Sequence, residues 1–175
     1  MEEITFVTGN KNKYKEVNEI FDGKIIFAEI DLVEIQSRDI YEVVKHKAKE
    51  VYKILKKSVL VEDISLYLEC LNKFPGPFIK FMISSIGPEG IYNLVKNYRE
   101  KVAIVRCVVC YFDGEEFKFF TGDVKGKIVS PKGKNGGGLI LYSCLMERRE
   151  HFLKWVKRKT NSHTEELHGK NLEIF

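Results

Sequence analysis

Three short stretches of this chain carry side chains suited to chemistry on a charged substrate. The first is Thr8-Gly9-Asn10-Lys11-Asn12-Lys13, between an apolar run and a helical pattern. Free N–H groups at a helix start, backed by the helix dipole, attract anions. Gly9 lets the backbone approach a phosphate, and Lys13 adds a point charge. An ordinary helix cap with solvated lysines explains the same residues equally well. The second stretch is Glu62-Asp63, at the end of the apolar run Ser58–Val61. Carboxylates at the carboxyl ends of strands line the crevice where α/β proteins hold ligands. With Glu34 they offer hard oxygen donors to Mg²⁺, which prefers carboxylates plus substrate phosphates. Taken alone, the pair reads more simply as a solvated strand end. The third is Phe74-Pro75-Gly76-Pro77, which is either a rigid wall beside a pocket or simply a turn.

The surrounding pattern predicts the elements that position these residues. Ile4–Thr8 and Lys24–Ala28 read as short strands, with a helix between them presenting Tyr14, Val17, Ile20 and Phe21. Asp31–Ser37 is a connection that carries Glu34. Ile40–Leu55 is an amphipathic helix, with Val44, Ala48, Val51, Tyr52 and Leu55 at helical spacing. Ser58–Val61 is a buried strand, and Leu66–Leu71 continues extended or helical. Helices are predicted over Phe78–Ser85 and Pro88–Tyr98. The strands Val102–Phe112 and Glu116–Phe120 flank the hairpin signal Asp113-Gly114, and Lys125–Val129 adds another. Interleaved strands and helices predict a mixed α/β (α+β) fold.

Composition sets the class. The chain has 175 residues, 44% hydrophobic and 31% charged, which fits one domain with a real core. No apolar run reaches the length of a membrane span, and the acidic start Met1-Glu2-Glu3 is not a signal peptide. A net charge of +4, evenly spread, argues against nucleic acid as a partner. Cys107 and Cys110 sit three apart in a strand, so they face opposite sides and read as core thiols rather than a zinc or redox pair. A reducing, cytoplasmic setting follows by default.

In combination the motifs resemble the inosine triphosphate pyrophosphatase family, also called Ham1-like. The matching strings are FVTGNKNKYKEV (6–17), VEIQ (33–36), VLVEDISLYLECLNKFPGPF (59–78), IGPEGIYNLV (86–95) and PKGKNG (131–136). The resemblance implies an elongated two-lobed fold around a long mixed sheet, and a homodimer. It implies Mg²⁺-dependent cleavage of ITP, dITP and XTP to monophosphate and pyrophosphate. It assigns Thr8, Gly9, Asn10 and Lys13 to the triphosphate and Glu34 and Asp63 to the metal. The resemblance also implies that Asp63 activates the attacking water. The family usually reads Glu-Asp-Ser-Gly where this chain has Glu62-Asp63-Ile64-Ser65. A catalytically impaired nucleotide-binding or scaffolding homologue is the alternative.

Residues 137–175 do not match the family, although the chain reads as a single domain. The expected aromatic-Asp-Pro, Thr-Phe-Ser-Glu-Met and Ser-His-Arg-Gly segments are absent as written. Codons permitted by the written residues recover them when read one frame over. Gly138–Tyr142 as GGT TTG ATC CTA TAC yields Phe-Asp-Pro-Ile, and Ser162–Glu165 as TCT CAC ACA GAG yields Ser-His-Arg and the first base of a Gly codon that Glu166 completes. The tail is therefore expected to be out of frame. The competing reading is a natural, diverged tail in which Thr164 replaces the arginine.

Overall fold

The computed structural model describes residues 4–8, 14–15, 18 and 25–130. Strands β1 (Ile4–Val7) and β2 (Ile25–Ala28) pair in parallel. Helix α1 spans Ile40–Leu55, and strand β3 spans Val59–Leu68. A 3-10 turn, Glu69–Leu71, leads to the short strand β4 (Pro75–Gly76). Helix α2 covers Ile79–Val95, and β5 (Val102–Phe112) and β6 (Phe117–Lys127) form a long hairpin. The sheet runs in the order β2-β1-β3-β5-β6, with β4 beside β3. β1 is parallel to β2 and β3, whereas β5 is antiparallel to β3 and β6. The expected mixed α/β fold is present. At ~3.3 Å per residue, β5 extends about 36 Å.

Strand alternation gives the sheet two covered faces. On one face, α1 lays Val44, Ala48 and Val51 over Val59, Val61, Val108 and Cys110. On the other, Leu60, Cys107 and Val109 pack with Phe6 and Ile25 near β1. Farther along that second face, α2 packs Ile79, Met82, Ile91 and Val95 on Leu66, Leu68, Ala103 and Val105. The two helices thus sit on opposite faces, with apolar clusters toward both ends of β3 and β5. Cys107 and Cys110 belong to different clusters, as their spacing predicts. Burial pushes the Cys110 thiol up to about 12. No helix among the described residues is long and apolar enough to cross a membrane.

α1 has the predicted bounds because its start is capped. The Asp39 carboxylate accepts from the Tyr41 N–H at 2.8 Å, and Lys56 ends the helix in the left-handed conformation. α2 joins the two predicted helices but ends at Val95 and not at Tyr98, with a break at Gly87 (φ 65°) just before Pro88. Two strand expectations change. β3 continues through Glu62-Asp63 to Leu68 instead of stopping at Val61. The separate strands predicted at 116–120 and 125–129 are one, because β5 supplies a ladder partner for every residue of β6.

Candidate active site

Thr8 stands just past β1, its N–H donating to the Ala28 carbonyl at 3.3 Å. β1 pairs with β3 at Thr5↔Val59 and Phe6↔Leu60. Carrying that register forward sets Thr8 level with Glu62. Beyond this point β3 pairs only with the antiparallel strands β4 and β5. The acid pair therefore lies mid-strand, yet at the carboxyl end of the parallel half of the sheet, where ligands of α/β proteins collect. Gly9, Asn10 and Lys13 lie outside the described residues.

Asp63 and Glu62 point to opposite faces. Asp63 shares the α1 face with Val59, Val61 and Ser65, and is about a quarter exposed. Its Oδ1 accepts from the Ile64 N–H at 2.7 Å, which leaves Oδ2 as the oxygen turned toward α1. Glu62 is buried at 4% exposure on the face of Leu60 and Ile64. Ile64 packs into both clusters on that second face. Its side chain therefore does not sit beside the Asp63 carboxylate. Ser65 does lie on the acid's face, fully buried, and its hydroxyl donates to the Arg106 carbonyl at 3.4 Å.

Glu34 comes from the connection between β2 and α1. Its Oε1 is 3.2 Å from Lys47 Nζ. The same ammonium is 3.9 Å from Asp63 Oδ2 and donates to the Glu62 carbonyl at 3.4 Å. Two acids distant in sequence thus converge on one lysine. Lys47 was not singled out in the sequence, although a signal was there. Ile40, Val44, Lys47 and Val51 follow the 4, 3, 4 spacing of an inward helix face, with a charge where an apolar residue belongs.

The Phe74–Pro77 turn borders this region. The Phe74–Pro75 bond is cis, and Pro75 and Gly76 pair with Tyr67 and Leu66. Gly76 adopts φ +61°, and a Cβ there would meet the Tyr67 ring at 3.6 Å and the Arg38 carbonyl at 4.0 Å. The turn thus packs close to the connection that carries Glu34. Farther along the Asp63 face, Arg106 makes two parallel hydrogen bonds to Asp123, at 2.8 and 2.7 Å.

No group of three or more His, Cys, Asp or Glu side chains gathers into a metal cluster among the described residues. The Glu34–Asp63 set still fits Mg²⁺, which needs only one or two carboxylates when phosphate and water complete its shell. It does not fit zinc, which favours nitrogen and sulfur ligands.

A mixed sheet whose parallel strands end beside two carboxylates and a lysine defines an α/β protein with a cluster of charged side chains at the carboxyl end of its parallel half. Residues 4–147 match the Ham1 family, and the chain belongs to it. It is 37% identical to the inosine triphosphate pyrophosphatase of Schizosaccharomyces pombe over 142 residues, covering 79% of this chain and 75% of that protein. It is 36% identical to inosine triphosphate pyrophosphatase 2 of Trypanosoma cruzi over 139 residues, covering 77% and 71%. Among solved structures, a HAM1 protein from Coxiella burnetii superposes with a TM-score of 0.69 at 22% identity over 78% of each chain. The Staphylococcus aureus Ham1 protein gives 0.64 at 25% identity, again over 78% of each.

Proposed function

We propose that this chain hydrolyses non-standard purine nucleoside triphosphates (ITP, dITP and XTP) to the monophosphate and pyrophosphate, clearing them from the nucleotide pool. The observation that carries this reading is the meeting of Glu34 and Asp63 on Lys47, level with the end of β1, in a chain of the Ham1 family.

Thr8, Gly9, Asn10 and Lys13 cradle the triphosphate at the end of β1. Lys47 adds a cation from the α1 side. Glu34 and Asp63 hold Mg²⁺, which when bound neutralises charge on the phosphate oxygens. Asp63 orients a water for in-line attack at the α-phosphorus and accepts its proton, the Ile64 amide at Oδ1 fixing how the carboxylate is turned. The new bond joins the water oxygen to the α-phosphorus. The bond to the α–β bridging oxygen breaks, and that oxygen leaves with pyrophosphate. The same proposal makes the protein a homodimer of the reducing cytoplasm, a compartment supported by the free thiols Cys70, Cys107 and Cys110.

Pyrophosphate release measured with ITP, XTP, ATP and GTP tests the reading. Turnover is expected to favour ITP and XTP, and equal rates for all four overturn the selectivity. Asp63→Asn is expected to cut kcat by about a hundredfold or more. It should leave binding of a non-hydrolysable triphosphate nearly intact. Unchanged turnover in that variant removes Asp63 from the chemistry.

A further inference from the structure

We propose that Lys47 is an internal counter-ion that holds the acid pair closed to a bare divalent cation, so that metal enters with the triphosphate rather than before it. The inference rests on the assignment of Glu34 and Asp63 to the metal and deepens it.

The lysine is held from several sides. Its ammonium is 3.2 Å from Glu34 Oε1, 3.4 Å from the Glu62 carbonyl and 3.9 Å from Asp63 Oδ2. An ammonium has three N–H donors and no acceptor, so this arrangement engages it on the acid side. The side chain is only 19% exposed. Its stem leaves α1 between Val44 and Ala48, both fully buried against the sheet, so the backbone beneath it is fixed. Only the flexible end of the chain can move.

Electrostatics then set the order of binding. Two carboxylates and one ammonium leave a single net negative charge for an arriving dication. The ammonium also repels that dication at close range, and like charges at ~4 Å oppose each other even in a water-like dielectric. A triphosphate reverses the balance. It offers the ammonium several oxygens in exchange for the acids, and it brings its own ligands for the metal. The ammonium thus offsets part of the acids' charge in the free site and part of the phosphates' charge in the loaded one. Metal and nucleotide should accordingly bind with positive coupling, each raising the affinity for the other by the same factor.

The test measures Mn²⁺ binding by electron paramagnetic resonance, with and without a methylene-bridged ITP analogue, on the full chain. Wild type is expected to bind Mn²⁺ weakly alone and much more tightly with the analogue. Lys47→Met should bind Mn²⁺ alone about tenfold more tightly than wild type. Its coupling to the analogue should shrink. Lys47→Arg keeps the charge and should stay close to wild type without nucleotide, which also covers the case of a poorly folded methionine variant. Unchanged or weaker Mn²⁺ binding by Lys47→Met overturns the proposal. So does Lys47→Arg binding Mn²⁺ alone as tightly as is expected of the methionine variant. Glu34→Gln separates this failure from failure of the underlying reading. If it leaves Mn²⁺ binding with the analogue untouched, the metal assignment itself falls.

Discussion

Asp63 and Ile64 are adjacent in sequence but serve different faces of β3. The departure from Glu-Asp-Ser-Gly looks like damage to the site when the letters are read in a row. The pleat sends Ile64 away from the acid and into the clusters formed by Leu60, Cys107, Leu66 and Val105. Only its N–H serves the carboxylate, and any residue but proline supplies that. Ile64→Ser, which restores the family's usual letter, is therefore expected to cost about 1–2 kcal/mol through lost apolar packing. It should give no gain in turnover. Thermal denaturation paired with an ITP assay checks this, and a clear rise in rate would show that a hydroxyl at this position reaches the site. Lys47 makes the complementary point. It is one of four lysines on α1, and the letters do not distinguish them. In the fold, Lys45 and Lys49 lie over the Phe117 ring at 5.1 and 5.6 Å, Lys53 pairs with Glu50, and only Lys47 reaches the acids. The family strings point to Glu34 and Asp63 as the proposed metal ligands. The ammonium between them was legible only as a charge on an inward helix face.

α1 was readable to its ends because local signals agree there: an apolar stripe, the Asp39 cap and a left-handed stop at Lys56. β3 and β6 were read short because each carries polar or glycine residues where a strand ordinarily stops. In β3 these are Glu62 and Asp63; in β6 they are Thr121, Gly122 and Asp123. What sustains both strands is non-local. β5 pairs with β3 from Val59 to Leu68 and with β6 from Phe117 to Lys127. Neither partner is visible in a local window. The β5–β6 hairpin was legible from Asp113-Gly114, and the structure shows why glycine is needed. Gly114 adopts φ +105°, and a Cβ there would fall 2.2 Å from the Tyr52 hydroxyl. Tyr52 cannot easily yield, since its ring packs edge-on against Phe112 at 5.1 Å. Asp113 secures the same turn by accepting from the Glu115 and Glu116 amides, which holds its carboxyl below the usual range. Gly114→Ala is expected to destabilise the protein by about 2–3 kcal/mol, from backbone strain and the clash together. Gly126→Ala, where no atom lies within 4 Å of the added Cβ, serves as the control in the same hairpin. Chemical denaturation of both variants decides it, and equal midpoints would remove the claim that this turn clamps the hairpin onto α1.

The family match runs to residue 147, eleven residues past Gly136 and so into the stretch expected not to match, and the two relatives named above align with 77–79% of the chain. We propose that residues 137–175 are translated one frame away from the family's own continuation, through loss of a single nucleotide just after Gly136. The Gly137-Gly138 pair is what such a loss produces. GGT TGG GGG TTT encodes Gly-Trp-Gly-Phe, and removing one T gives GGT GGG GGT TT, which writes Gly136-Gly137-Gly138 and begins the codon of Leu139. The same single shift serves the later segments. Glu147–Leu153 as GAG AGA AGA GAA CAT TTT CTG, entered at the third base, reads Glu-Lys-Arg-Thr-Phe-Ser, and Lys154–Val156 as AAA TGG GTA continues it as Glu-Met-Gly. The written residues fix most bases in each codon, so the motifs are not free inventions of codon choice. A diverged natural tail would have no reason to yield them in order and in one frame. The chemistry divides at the same place. The residues assigned to phosphate and metal, Thr8 through Asp63, precede the break, whereas the segments missing from the tail, which the resemblance implies shape the base pocket, follow it. The chain as written should therefore keep only a weakened preference for ITP and XTP, with reduced turnover. Its frame-restored counterpart should hydrolyse ITP and XTP far faster than ATP or GTP. Sequencing the gene across the Gly136 codon is the direct test, and coding DNA in which no single added base regenerates those segments refutes the slip. Comparing base selectivity of the two proteins then tests the consequence: identical profiles would mean that reading of the base lies within residues 1–136 after all.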